Sequence, residues 1–180
     1  KALFTNKSSI NLEELLVQRG VKSYASMEQT HSNKVIHAKK SGIYKSDGIY
    51  TSSKNLGLVV KTADCMPIFL KDKKSIGAVH VGWKGVKNKI ISNALKNFNL
   101  NELLMSVGPH AQSCCYEVKE DVSKYLYKYI DKRDGKEYLN MSQSLLDLSY
   151  KIGFNIEVSS ICTICSSSYN SYRENKTSKR

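Results

Sequence analysis

The sequence predicts an α+β fold in which mixed β-sheets are flanked by helices. Three observations carry that prediction. Short apolar stretches of strand character recur along the chain, amphipathic spacings of helical period stand between them, and no repeat, low-complexity tract or Pro/Gly-rich linker interrupts the series. A chain of 180 residues with only two prolines, Pro67 and Pro109, then reads as one domain over 1–180, long enough to enclose a substantial core.

The first helix is signalled by Asn11 as its cap, Glu14 three residues on to complete a capping box, and Gly20 to end it in the left-handed conformation. Strand-like stretches follow at Tyr24 to Met27, Val35 to Ala38, Gly48 to Thr51, Gly57 to Thr62, Ile68 to Lys71 and Ile76 to Val81. Val86, Ile90, Ile91 and Ala94 give one helical face after Trp83, and Val122, Tyr125, Leu126, Tyr129 and Ile130 give another. A last helix runs from Met141 through Leu145 and Leu148 to Ile152 and stops at Gly153, while Leu103 to Val107 and Ile156 to Ser160 read as further strands.

Composition narrows the function classes. The longest apolar runs are a few residues long, far short of a membrane span, and no tripartite secretion leader is readable, so a cytoplasmic location without membrane contact is expected. A net charge of +12 invites a nucleic-acid reading, yet only Arg19, Arg133, Arg173 and Arg180 among the 28 cations are arginines, and the lysines are spread along the chain. Nucleic acid is therefore not the expected partner, although such a surface attracts small anions. Five cysteines, an odd number in a chain too large to need staples, are expected to be reduced. Cys162-Thr-Ile-Cys165 has the spacing of half a zinc ribbon or of a redox pair, but no second Cys-x-x-Cys completes it. Cys114 and Cys115 would point apart in a strand, and at the Cys162 pair buried small apolar thiols are expected in preference to a structural zinc.

Chemistry concentrates at strand ends. In Leu56-Gly-Leu-Val-Val-Lys-Thr-Ala-Asp-Cys65-Met-Pro67 an apolar strand ends in polar residues, and Pro67 forces Met66 away from helix, placing Asp64 and Cys65 at a sharp connection. In Ile76-Gly-Ala-Val-His80-Val-Gly-Trp-Lys-Gly85 a strand of small residues runs into a helix start, with His80 near the strand end and free helix N–H groups that favour anions. Gln29-Thr-His31-Ser-Asn-Lys-Val35 is a polar stretch before a strand. Two histidines and a cysteine on three edges are the inventory of a catalytic zinc with an open fourth position, although each alone also suits an ordinary buried or hydrogen-bonded side chain. Trp83 reads as core or pocket wall, and His37 and His110 as solvent-facing.

The strings Gln29-Thr-His31, Ser46-Asp-Gly-Ile-Tyr-Thr51, Thr62-Ala-Asp-Cys-Met-Pro67, Ala78-Val-His-Val-Gly-Trp-Lys-Gly85, Gly108-Pro109 with Cys114-Cys-Tyr-Glu-Val118, and Ile161-Cys-Thr-Ile-Cys165 with Ser171-Tyr-Arg173 occur in order from about Phe4 to Lys179. Together they resemble the laccase-domain family, also called the multicopper polyphenol oxidase-like, peptidoglycan-editing-factor or purine nucleoside phosphorylase family. The resemblance implies one zinc on His31, Cys65 and His80, phosphorolysis of purine nucleosides (adenosine, inosine, guanosine, methylthioadenosine) and deamination of adenosine. It also implies a laccase-domain, cysteine-hydrolase-like α+β fold. The family commonly has arginine after the tryptophan, where this chain has Lys84; the charge is kept and the bidentate fork lost. The usual Thr-Gly-Arg close appears as Thr177-Ser178-Lys179, and the N-terminal signature survives only as Phe4-Thr5-Asn6-Lys7 in a shorter N-terminal region.

The expected centre thus has His31, Cys65 and His80 on metal, with Cys65, His80, Asp64 and Lys84 as the catalytic set. Lys84, Arg173, Gln29 and Asp47 would face nucleoside and phosphate. Asp64 and Asp47 would transfer protons or orient a histidine, unless they merely cap turns. Three other readings stay open. Copper at the same residues would support polyphenol oxidation, but four histidines cannot assemble a multicopper cluster. A metal-free Cys–His hydrolase, with Cys65 as nucleophile and His80 as base, would cleave an amide in a peptidoglycan precursor. A basic binding module would show salt-sensitive RNA binding that survives His31→Ala.

Overall fold

The middle of the chain builds the scaffold. In the computed structural model, which describes residues 2–7 and 11–176, helix α1 (Leu12–Gln18) is followed by strands β1 (Ser23–Glu28), β2 (Val35–His37), β3 (Gly42–Lys45), β4 (Gly48–Thr51), β5 (Leu56–Leu58), β6 (Met66–Lys71) and β7 (Ile76–Val81). Helices α2 (Trp83–Lys87) and α3 (Ile90–Leu95) lead to β8 (Leu104–Val107) and β9 (Glu117–Val118). Helix α4 (Glu120–Leu126), strands β10 (Ile130–Arg133) and β11 (Lys136–Leu139), helix α5 (Met141–Ile152), strand β12 (Asn155–Val158) and helix α6 (Tyr172–Asn175) complete the order.

The strands form a six-stranded sheet ordered β12-β8-β6-β7-β4-β2 and two three-stranded sheets, β3-β1-β5 and β10-β11-β9. The large sheet is mixed: its central strands pair antiparallel, and β12 on β8 and β2 on β4 add parallel edges. This is the expected α+β class with mixed sheets. No helix among the described residues is long and apolar enough to cross a membrane.

Alternation along β6 and β7 divides the core into two. Met66, Ile68, Leu70, Val79 and Val81 point to one face, where Ile90, Val122, Leu126, Met141 and Leu145 from α3, α4 and α5 cover them. Ala78 points to the other face and packs with Ile49, Ala25, Leu56 and Ala38, so the small parallel sheet lies against β4 and β7. Side chains alternate across a strand, so His80 shares the Ala78 face. His80 therefore points to the face of the small parallel sheet and not to the face covered by α3, α4 and α5.

Several elements differ from expectation for local reasons. The helix expected from Trp83 through Ala94 is broken at Lys89, which adopts φ 58° between α2 and α3. The helix expected to run to Ile130 stops at Leu126, passes through a 3-10 turn at Tyr127–Tyr129, and Ile130 opens β10 instead. Strand β5 ends at Leu58, short of Thr62, because Lys61 is paired by the side-chain amide of Gln29 instead of by a neighbouring strand. Asn11 caps α1 by accepting the Glu13 N–H at 2.9 Å, and Gly20 (φ 71°) and Gly153 (φ 91°) take the left-handed stops read for them. The closing string Thr177-Ser178-Lys179 lies outside the described residues.

Ile68 is fully buried in β6 whereas Ile43 in β3 is 76% exposed. Ile68→Ala is expected to lower stability by ~2–5 kcal/mol in denaturant titration, and Ile43→Ala to change it by no more than ~0.5 kcal/mol.

Candidate metal centre

Two connections and the end of a strand bring the implied ligands to one point. His31 sits in the β1–β2 loop at φ 59°, and Asp64, at φ 79°, bends the β5–β6 connection just before Cys65. Left-handed backbone at a non-glycine residue costs on the order of 1 kcal/mol, and His and Asp tolerate it better than most. His80 lies one residue from the end of β7.

Each of His31, Cys65 and His80 offers a ligand atom within 4.8 Å of the other two. Cys65 Sγ is 3.9 Å from His31 Nε2, and the two imidazoles meet edge to face with centroids 4.8 Å apart. Gly82 provides the clearance, since a Cβ there would stand 2.9 Å from Cys65 Sγ and 3.2 Å from the His31 ring. Two imidazoles and a thiol beside a bare glycine fit a divalent metal that keeps one position open, and this donor set suits zinc and copper alike.

Asp47, the residue opposite His80 at the start of β4, sets the orientation. Its Oδ1 accepts His80 Nδ1–H at 2.8 Å and the His31 amide at 2.9 Å, and its Oδ2 accepts the Ser32 amide at 2.6 Å and the Ser32 hydroxyl at 2.7 Å. The Thr30 amide adds a further bond at 3.2 Å. Burial opposes the charge, but the bonds from His80, Ser32 and His31 outweigh it and hold the carboxyl far below the usual carboxylate range. An ionised carboxylate only accepts, so Nδ1 of His80 carries the proton and Nε2 presents its lone pair. Asp47 is fully buried and both of its oxygens are engaged, one of them by His80, which is the geometry of the histidine-orienting role also read from the sequence.

Asp64 is likewise committed. Its carboxylate accepts the hydroxyls of Thr163 at 2.8 Å and Ser171 at 3.1 Å and the Arg173 amide at 2.7 Å, while its carbonyl accepts the Ala111 amide at 2.9 Å. It anchors the segment before α6 to the connection carrying Cys65. Gln29 clamps Lys61 by two bonds of 2.8 and 3.1 Å, so its amide also serves the backbone.

A cleft of about 530 Å³ is walled by Trp83, Cys115, Val122, Ile164 and Arg173. His31, Cys65 and His80 do not line it; Trp83 follows Gly82 and the Arg173 amide is bonded to Asp64, so two of its lining residues are next to residues of the centre. The Arg173 guanidinium lies 4.7 Å from the Tyr116 ring and donates Nη1–H to Glu117 O at 2.8 Å. Burial and the neighbouring Cys65 push the Tyr116 phenol up to about 12 despite Arg173. Lys84 is exposed on α2, its Nζ 5.7 Å from the Trp83 ring centre. Tyr116, Thr163 and Ser171 were not singled out from sequence, although all three stand inside quoted strings.

Three expectations need correction. His110 is fully buried, not solvent-facing: its Nδ1–H donates to Gly108 O at 2.8 Å and burial lowers its pKa. His37 is half-buried and stacks on Tyr50 with ring centroids 4.8 Å apart. Cys114 and Cys115 do not point apart, because they lie in a turn and not in a strand, and they converge with Cys162 and Cys165.

Residues 6–179 match the family described as multi-copper polyphenol oxidoreductase laccase. The chain belongs to this family. A relative from Aquifex aeolicus named purine nucleoside phosphorylase is 37% identical over 84% of this chain and 77% of its own length. One of that name from Borreliella burgdorferi is 36% identical over 75% of this chain and 66% of its own, and one from Clostridium acetobutylicum is 29% identical over 94% and 78%. Among solved structures, YlmD from Geobacillus stearothermophilus superposes with a TM-score of 0.84 at 20% identity, covering 93% of this chain and 74% of that one. A Neisseria meningitidis protein gives 0.82 at 22%, covering 91% and 74%. These two superpositions establish a shared fold.

Asp47→Asn sets an amide against donors on every side, whichever way it is turned. Its metal affinity is expected to fall about 10- to 100-fold in a chelator competition titration. The low Asp47 pKa means that the folded state releases this proton more readily than the unfolded state. The associated stability is present above the unfolded carboxylate range and is lost as pH falls from about 5. Acid titrations of stability are accordingly expected to fall less steeply for Asp47→Asn than for the parent protein.

Proposed function

We propose that this protein is a zinc-dependent purine nucleoside phosphorylase working as one domain in the cytoplasm, with His31, Cys65 and His80 as the metal ligands. The observation that carries the reading is the convergence of those three ligand atoms within 4.8 Å, beside a cleft walled by an indole and a guanidinium. The names of the Aquifex and Borreliella relatives support it. Zinc held there would supply a Lewis acid that steadies negative charge developing in the reaction.

The chain's own residues account for the rest. Trp83 offers a flat apolar face against which a purine can stack. Arg173 spends one N–H on Glu117 O and keeps others for phosphate oxygens, and the Lys84 ammonium, 5.7 Å from the Trp83 ring centre, adds a point charge. Held against C1′ of the ribose, a phosphate oxygen forms the new bond as the bond to the purine nitrogen breaks, and positive charge accumulates on the sugar. Asp47 keeps Nε2 of His80 turned towards the centre throughout, and Asp64 holds the segment bearing Arg173 in place. Deamination of adenosine at the same centre is the second activity proposed.

Copper-based polyphenol oxidation is the weaker reading. Of the four histidines, His37 is stacked on Tyr50 and His110 is bonded to Gly108 O, and neither joins a ligand cluster among the described residues. A metal-free amide hydrolase needs one imidazole on Cys65, whereas here two converge with it.

Incubation with adenosine and phosphate is expected to yield ribose 1-phosphate and adenine. Cys65→Ala should lower that rate at least about 100-fold, and an unchanged rate would overturn the reading. Lys84→Met is expected to raise the KM for phosphate about tenfold, equivalent to ~1.4 kcal/mol, with a smaller effect on kcat.

A further inference from the structure

The four cysteines outside the centre form a second cluster that the proposed reaction does not use. Cys114 and Cys115 sit in the turn before β9, and Cys162 and Cys165 flank the turn after β12. Their sulfurs all lie within 4.8 Å of one another, with Cys114 Sγ 3.5 Å and Cys115 Sγ 2.7 Å from Cys165 Sγ. A tetrahedron with Zn–S bonds of ~2.3 Å has edges of about 3.8 Å, so small side-chain rotations about these positions suffice to seat an ion.

Apolar packing does not account for the cluster, because Cys114 and Cys165 are exposed. The surroundings of Cys162 suit a thiolate instead, while burial and the neighbouring sulfurs push the Cys114 thiol up, and the neighbouring sulfurs push up that of Cys165. The Gln112 amide donates to Cys162 Sγ at 3.5 Å, and the amides of Ile164 and Cys165 also bond that sulfur, the arrangement of a metal-binding Cys-x-x-Cys turn in which backbone N–H groups neutralise the leading thiolate. Arg133 donates to the carbonyls of Ser113 at 2.6 Å and Cys114 at 3.2 Å, which fastens the first turn and brings a cation to a site that would carry excess negative charge. Four convergent thiolates repel each other unless a soft cation lies between them.

We propose that Cys114, Cys115, Cys162 and Cys165 bind a structural zinc ion, separate from the centre at Cys65. The ion joins two turns that are otherwise held by the bond from Gln112 Nε2–H to Ser159 O at 2.9 Å and the bridge between His110 and Cys162. Both turns border the cleft: Cys115 and Ile164 line it, and Thr163, inside the Cys-x-x-Cys turn, donates to Asp64 beside Cys65. The ion therefore braces the part of the cleft wall formed by Cys115 and Ile164 without contacting a reactant. Its four ligands close the coordination sphere, which leaves no position for substrate.

Metal analysis of protein purified under reducing conditions with zinc in the medium separates this site from the other. The parent protein is expected to hold about two zinc ions per chain, Cys65→Ala about one, and Cys162→Ser with Cys165→Ser about one. If only the Cys65 centre binds zinc, Cys65→Ala will hold none, and the proposal fails while the reading of the active centre stands. Cobalt replacing zinc in Cys65→Ala should give the intense absorption of a tetrahedral tetrathiolate, a readout that does not require the serine variants to fold. Iron in place of zinc overturns the proposal. So does a mass for intact Cys65→Ala lowered by one or two pairs of hydrogens, which would show disulfides where the ligands should be.

Discussion

A carboxylate sealed from water is tolerated only where donors surround it, and Asp47 meets that requirement by drawing in the backbone of Thr30, His31 and Ser32 together with the His80 ring. The demand fixes three pieces of chain at once. The β1–β2 loop must curl so that consecutive amides face one point, β4 must start beside the end of β7, and the His80 ring must turn one nitrogen inward. His31 is held by its own amide on the same carboxylate, so its left-handed backbone and its position beside Cys65 follow from one buried charge.

Asp64 plays the corresponding part on the other side of Cys65, gathering Thr163, Ser171 and the Arg173 amide. The two aspartates divide the work: one aims the ligands, the other ties the last part of the chain to the connection between β5 and β6. Every oxygen of both carboxylates is engaged by at least one donor of the protein.

Much of this was legible beforehand because local chemistry and global fold agree. Pro67 after a polar run marked the bend at Cys65, Asn11 and Gly20 bracketed α1, and Gly153 stopped α5. Residues whose structure depends on distant partners were harder to read. Tyr125, Tyr129 and Ile130 keep helical spacing, yet pairing with β11 draws Ile130 into a hairpin. The overlooked signal was Asp134-Gly135, both with positive φ as a tight two-residue turn requires. The cysteines were misread because alternation applies to strands, and Cys114 and Cys115 lie in a turn that places both side chains on one side. His110 offered no local sign of burial, since its partners are the Gly108 carbonyl and a bridge to a residue much later in the chain.

The partners of Asp64 stand 99, 107 and 109 positions further along the chain. A nascent polypeptide therefore carries all three candidate ligands out of the ribosome long before it contains the residues that steady the loop between them. During that interval Cys65 is present without its supporting wall, and a stretch translated about a hundred residues later closes the frame around it.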